Sequence, residues 1–385
     1  MSEQTVLVWS EELLTYHFGA SHPMAPTRLG LTRELVRAFG LCEGVRVVDP
    51  PVATDAELEL VHRPEYIAAV RAGAASARYG LGTADDPVFA GMHEAAARIA
   101  GGTLQAAREV WSGRARHAVN FAGGMHHAMP GRASGFCIYN DAAVAIRWLL
   151  DQGARRVAYV DIDAHHGDGV ERAFWDDPRV LTISVHQSGM SLFPGTGFAQ
   201  DCGGPHARGM AVNVALPPDT GDEPWLRAVE AVAAPLLAEF RPEVLVSQHG
   251  CDSHPRDPLT ELRVSVDAQR IAAEQLGRWA ADHADDRWVA LGGGGYDIAS
   301  TVPRVWANLV AIASGQPVDP ERLLPARWRA HVHSLGAEVP QTMTDGRRPR
   351  LRPFDDGYDP ADPVDQAILA TRRVVFPEHG LGALL

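Results

Sequence analysis

Apolar residues along this chain fall into two alternating kinds of run. Short stretches that are apolar on successive positions occur at Val6–Trp9, Val45–Asp49, Ala118–Phe121, Val157–Asp163, Val180–His186, Met210–Leu216, Val244–Gln248 and Trp288–Leu291. Unbroken apolar runs of this length suit strands that are buried on both faces, as in a parallel sheet. Between them lie longer segments with helical spacing: Thr27–Phe39, Glu94–Trp111, Asp141–Gln152, Glu223–Phe240, Ser265–His283 and Pro303–Ser314. Each is bounded by a cap or a breaker, such as Asn140 before Asp141 and Gly153 after Gln152. This alternation predicts one doubly wound α/β domain over residues 1–315, with a mostly parallel eight-stranded sheet flanked by helices. From residue 316 to 385 strand signals vanish and Pro, Arg and Asp become frequent. We read this part as a C-terminal extension packed on the core or on another subunit.

Composition narrows the function. Of 385 residues, 35 are basic and 48 acidic, a formal net charge of −13, and every basic residue is Arg. An acidic chain whose one basic cluster is RRPRLR is expected to bind neither nucleic acid nor an anionic membrane surface. No apolar run is long enough for a spanning helix. The first residues, MSEQTVLVWS, lack a secretory pattern, and Cys42, Cys137, Cys202 and Cys251 form no C-x-x-C pair. A reducing, cytoplasmic location is the expectation.

Ligands of open α/β sheets bind beyond the carboxyl ends of strands. Four of the expected strands are followed by unusual strings. Gly123 and Gly124 precede the tandem His126-His127. Asp161 opens D-I-D-A-H-H-G-D-G. His249-Gly250-Cys251-Asp252 follows a third strand, and Gly292–Gly295 with Tyr296 a fourth. In an extended chain Asp161, Asp163 and His165 project to one side. Such a group at the end of an apolar strand calls for a counter-charge, and Zn²⁺, Fe²⁺ or Mn²⁺ suits this donor set. Asp252 offers a further carboxylate. The paired histidines suit acid–base work. The glycine run lacks the Lys and Ser/Thr of a phosphate loop, and suits a Tyr donor facing a developing oxyanion better.

The strings GGMHHA, SGFCIYND, YVDIDAHHGDG, SVHQSGMSLFPGTG, QHGCDSHPRDPL and GGGGYD resemble the histone deacetylase superfamily, in the family order from about His22 to Gly315. The likeness is nearest to the bacterial acetoin-utilisation (AcuC-type) deacetylases. It implies the three-layer arginase/deacetylase fold and a zinc-dependent amidohydrolase that removes acetyl groups from acetyl-lysine in proteins. By resemblance, Asp163, His165 and Asp252 hold the zinc, with iron as the alternative metal. His126 and His127 carry the protons, oriented by Asp161 and Asp168, and Tyr296 donates to the carbonyl oxygen. Phe136 and Phe193 line a narrow tunnel flanked by Gly135 and Gly294, with Leu259 at its base or rim and Met125 in its wall. Asp85, or Asp86 in a shifted alignment, binds substrate backbone at the mouth, and Arg28 lines an internal acetate channel. A structural K⁺ is implied at Asp161, Asp163, His165, Ser184 and Val185. A second cation site would use Phe174, Asp177 and Val180, where Asp177 departs from the usual hydroxyl residue.

The resemblance points to an acetylated protein as partner, such as an acyl-CoA synthetase, and is compatible with a homo-oligomer. An acetylpolyamine amidohydrolase is the nearest rival, but the short Tyr16–Pro26 segment lacks that subgroup's inserted loop. A ureohydrolase of the same fold would need a second Asp-rich bridge. A non-catalytic acetyl-ligand binder would not need both histidine–aspartate pairs and the tyrosine.

Overall fold

The computed structural model describes residues 5–384. All eight expected strands are present: β1 (Thr5–Val8), β2 (Val45–Val48), β3 (His117–Asn120), β4 (Val157–Asp161), β5 (Val180–Gln187), β6 (Ala211–Leu216), β7 (Val244–Gln248) and β8 (Trp288–Leu291). They form one sheet in the order β2-β1-β3-β8-β7-β4-β5-β6, and every neighbouring pair is parallel. The expected "mostly parallel" sheet is therefore wholly parallel. Its connections run through α1 (Thr27–Ala38), α2 (Asp55–Leu58), α3 (Pro64–Ala72), α4 (Met92–Trp111), α5 (Asp141–Asp151), α6 (Asp168–Phe174), α7 (Asp222–Phe240), α8 (Val266–His283) and α9 (Thr301–Ala313). The C-terminal part adds α10 (Ala326–Ser334) and α11 (Pro363–Val375).

The unbroken apolar runs are explained by two cores. On β1, Val6 and Val8 join one apolar cluster while Leu7 joins the other. On β7, Val244 and Val246 face the same side as Val6, and Leu245 faces the opposite one. Period-2 alternation thus sends successive side chains into different layers, and both layers are dry. Residues of α5 and α6 fill one, and those of α1, α7, α8 and α9 fill the other.

Helix starts follow local chemistry. The Asn140 side chain accepts the Ala143 N–H (2.9 Å) to open α5, and Ser265 does the same for α8 through Ala268. Helix α11, missed in the sequence, has an Asp362 cap and Pro363 at its first turn, both ordinary start signals. The Pro- and Arg-rich surroundings hid its apolar face of Ile368, Leu369 and Val375, all buried.

This helix packs on α7 and on the edge strand β6. The seam is held by Arg227 of α7, whose Nε and Nη2 donate to Asp365 at 2.6 and 2.9 Å. Arg227 also donates to the carbonyls of Arg352, Pro353 and Gly357. Both members of the ion pair are almost fully buried. Removing one partner of such a pair strands a buried charge, at a cost of about 3–5 kcal/mol. Asp365→Ala is expected to lose about that much stability in urea unfolding. The double variant Arg227→Met, Asp365→Leu is expected to recover only part of it, because the carbonyls of Arg352, Pro353 and Gly357 lose their donor.

Candidate active site

The sheet order brings the four chemically unusual strings together. Strands β3, β8, β7 and β4 are adjacent at the centre of the sheet, and each ends in one of them. Beyond β4 the chain turns after Asp161, whose Oδ1 accepts the Asp163 N–H at 3.1 Å. The donor atoms that converge are those of Asp163, His165 and Asp252, all buried and within 4.8 Å of one another. The other oxygen of Asp161 faces His126, and its carboxylate is not one of the three converging donors.

His165 Nδ1 lies 2.8 Å from Asp252 Oδ2 and 3.2 Å from Asp163 Oδ1. The remaining carboxylate oxygens accept backbone N–H groups: Gly294 to Asp163 Oδ2 at 2.7 Å, and Ala164 to Asp252 Oδ1 at 2.8 Å. Burial, then the charge of Asp163, pushes Asp252 up to about 6. Burial opposes a charge on His165, but Asp252 and the hydrogen bonds to both carboxylates push it up to about 10. The cluster therefore demands positive charge at its centre, and two carboxylates with one imidazole suit a divalent Zn²⁺ or Fe²⁺. Glycines make room for it. A Cβ on Gly250 would fall 1.9 Å from Asp163 Oδ2, and one on Gly294 2.0 Å from Asp252 Oδ2.

Two histidine–aspartate pairs lie beside this centre. His126 Nδ1 is 2.8 Å from Asp161 Oδ2, His127 Nδ1 is 2.7 Å from Asp168 Oδ1, and the two Nε2 atoms are 3.0 Å apart. The pairs are not equivalent. Burial opposes a charge on His126, but Asp161 and Asp163 outweigh it and push the ring up to about 9. Burial and the adjacent charge of His126 push His127 down to about 4. The two rings are thus shifted in opposite directions. Tyr159, an apolar-looking strand residue, donates its one hydroxyl proton to Asp161 at 2.7 Å, and its oxygen lies 2.9 Å from the Gln248 side-chain amide.

A cavity of ≈ 210 Å³ opens onto His127 and His165, walled by Phe136, Phe193 and Tyr296. Gly135, Leu192, Leu259 and Asp85 complete it. A Cβ on Gly135 would meet the His127 ring at 2.5 Å and Phe193 at 2.9 Å, so only glycine lets these walls close. Phe136 adopts φ 67°, a left-handed conformation that is unusual for an aromatic residue, and Tyr16 donates to its carbonyl at 2.7 Å. Leu259 is 38% exposed and lies at the rim. Tyr296 is held by Asp257, whose carboxylate accepts the Tyr296 N–H at 2.7 Å and the Leu259 N–H at 3.0 Å. Burial and the charge of Asp252 keep the Tyr296 phenol protonated. The sequence reading passed over Asp257, Tyr159, Gln248, Tyr16 and Leu192. Asp257 stood in the R-D-P-L string, but its role depends on a fold contact with Tyr296, 39 residues away.

Other expected residues lie elsewhere. Gly294 does not line the cavity but sits behind it, against the carboxylates. Arg28 is also behind, donating to the carbonyls of Gly293 (3.0 Å) and Gly295 (3.1 Å) beneath the glycine run. Met125 is buried in the core rather than in the cavity wall, since its N–H is pinned to Asp141 at 2.7 Å. Asp86 is buried below the rim, leaving Asp85 at the mouth. Asp161 pairs with Ser184 in the β4–β5 register, with Val185 next along β5. The Asp177 carboxylate is held by Arg179 (2.7 Å) and Arg147 (3.3 Å).

A wholly parallel three-layer α/β fold with an Asp₂His cluster and two His–Asp pairs at its central strand ends defines a hydrolase class of site. The histone deacetylase domain model matches residues 22–313. The acetoin utilization protein AcuC of Bacillus subtilis is 44% identical over 331 residues, covering 84% of this chain and 85% of that protein. AcuC of Staphylococcus xylosus is 37% identical over 85% of this chain and 87% of its own. A crystal structure of an HDAC homolog complexed with SAHA superposes with a TM-score of 0.83 at 28% identity, over 97% of this chain and 100% of that one. The chain belongs to the histone deacetylase family and is of the AcuC type.

The glycine cradle gives a direct test. Gly250→Ala and Gly294→Ala are expected to keep the fold by circular dichroism. Each is expected to weaken zinc binding about ten-fold or more in a competition titration, because the carboxylates must move.

Proposed function

We propose that this protein is a metal-dependent lysine deacetylase, hydrolysing the amide of acetyl-lysine in proteins and releasing acetate. The observation that carries the reading is the His127–Asp168 pair set beside the buried Asp₂His cluster on a cavity walled by Phe136, Phe193 and Tyr296. A divalent cation held by Asp163, His165 and Asp252, zinc or ferrous iron, supplies Lewis-acid polarisation and a more acidic bound water.

The protein's own groups do the rest. His126 and His127, each oriented through Nδ1 by Asp161 and Asp168, are the pair assigned to take the proton of the attacking water and to return one to the departing amine. The Tyr296 hydroxyl donates to the carbonyl oxygen as negative charge grows on it, an effect worth a few kcal/mol per donor. Phe136 and Phe193 enclose the butyl chain of the lysine and exclude water. Asp85 at the mouth is placed to accept a backbone N–H of the substrate, and Gly135 lets the walls close.

Arg28 is assigned to the acetate path, and a structural K⁺ to Asp161, Asp163, His165, Ser184 and Val185. Residues 1–315 form the catalytic unit, and 316–385 the extension. By analogy with AcuC-type relatives, an acetylated acyl-CoA synthetase in the cytoplasm is the proposed partner. The mouth offers Asp85 but is otherwise apolar at Leu192, Phe193 and Leu259, which favours a peptide over a polyamine needing several carboxylates.

Turnover of a fluorogenic acetyl-lysine peptide tests the reading. His127→Ala and Tyr296→Phe are each expected to lose about 10²-fold or more in kcat with zinc content unchanged. Wild-type turnover in either variant would remove that residue from the chemistry. Acetylspermidine is expected to be the poorer substrate by kcat/KM; the opposite ranking would make the protein an acetylpolyamine amidohydrolase.

A further inference from the structure

A second cavity lies outside the active site. It is a groove of ≈ 410 Å³ where Arg63, Arg78, Arg132 and Arg172 converge, with Glu65 the one carboxylate residue among its lining. This is unexpected on a chain of net charge −13. Elsewhere exposed arginines commonly meet acids, as Arg348 meets Glu321 and Arg155 meets Glu243. Among the described residues, none of these four guanidinium groups has a carboxylate partner within ion-pair distance.

The groove is built on a fixed frame. Its floor is the turn Met129–Arg132, closed by the Met129 N–H to the Arg132 carbonyl at 2.9 Å. The Arg63 N–H donates to the Pro130 carbonyl at 2.8 Å, and the Ala133 N–H donates to the Tyr79 carbonyl at 2.9 Å. These bonds tie the walls carrying Arg63 and Arg78 to the floor. Two arginine side chains are braced as well. Arg63 lies along Gly131, where a Cβ would sit 3.4 Å from its Cδ, and the Arg78 guanidinium rests 5.2 Å from the centre of the Tyr79 ring. Arg172 enters from α6, the helix whose first residue is Asp168. The floor turn belongs to the loop that runs from His127 to Phe136.

Like charges gathered round one small cavity repel unless an anion sits among them. Guanidinium forks match phosphate oxygens two at a time. We propose that this groove binds a small ligand carrying a polyphosphate group, at a site separate from the deacetylation chemistry. A compact polyphosphate offers several acceptor oxygens close together, which suits a volume lined by arginines. An acidic peptide carries single charges on separate side chains and meets them less well.

Isothermal titration of the zinc-loaded protein with inorganic tripolyphosphate tests the site. Saturable binding is expected in wild type, reduced about ten-fold or more in the Arg78→Glu, Arg132→Glu variant. Binding is expected to stay within about two-fold in a control of equal charge change, Arg155→Glu, Arg348→Glu, since these arginines lie elsewhere. Acetyl-lysine peptide turnover is expected to stay near wild type in both. Any chelation at the catalytic centre would survive in the groove variant and is thereby told apart. No saturable binding, or equal loss in both variants, would overturn the proposal. Tighter binding of a hexaglutamate peptide than of tripolyphosphate would overturn the phosphate assignment in favour of an acidic protein segment.

Discussion

Two carboxylates buried within reach of each other are the constraint around which this protein is organised. Asp163 and Asp252 come from different strand ends, and both are fully removed from water. Uncompensated, such a pair is very costly. The structure answers with donors from several elements. The N–H of Gly294 and that of Ala164 each take one oxygen, and His165 bridges the two groups. What is left over is a buried negative charge, and a donor set that could hold a divalent cation. The glycines at 250 and 294 follow from the same constraint, because any side chain there would occupy the carboxylates' space.

The same field sorts the tandem histidines. They are neighbours in sequence and chemically identical, yet one is driven up and the other down. Nearness to Asp161 and Asp163 raises His126 against its burial, while burial first and then His126 lower His127. The asymmetry depends on the rigidity of the second layer. Tyr159 and Gln248 fix Asp161, and Asp257 fixes the backbone of Tyr296 to that of Leu259.

Away from the site, an all-arginine cation set serves different ends. Arg227 is buried and closes the C-terminal segment over α7, Arg28 holds the carbonyls of the glycine run, and others face solvent. Arginine suits the buried positions, since its planar group offers several donors and is less strongly hydrated than an ammonium.

Much of the architecture was legible in the sequence. The eight strands and six of the longer helices were present as apolar runs and spacings, because burial on both faces requires continuous apolar strands. The chemical strings at 123–127, 161–168, 249–252 and 292–296 also stood out, since clustered His, Asp and Gly have few structural uses at strand ends. The sequence could not decide how those strings combine. That β3, β8, β7 and β4 stand side by side follows from crossover connections and from packing between layers, which no local pattern encodes. For the same reason only the fold showed Asp161 facing His126, set Gly294 against the carboxylates, and brought Asp257 to Tyr296. Residue chemistry and periodicity are local properties and can be read along the chain. Contacts between residues far apart in sequence depend on where the sheet order and turns bring them, and only the tertiary structure settles that.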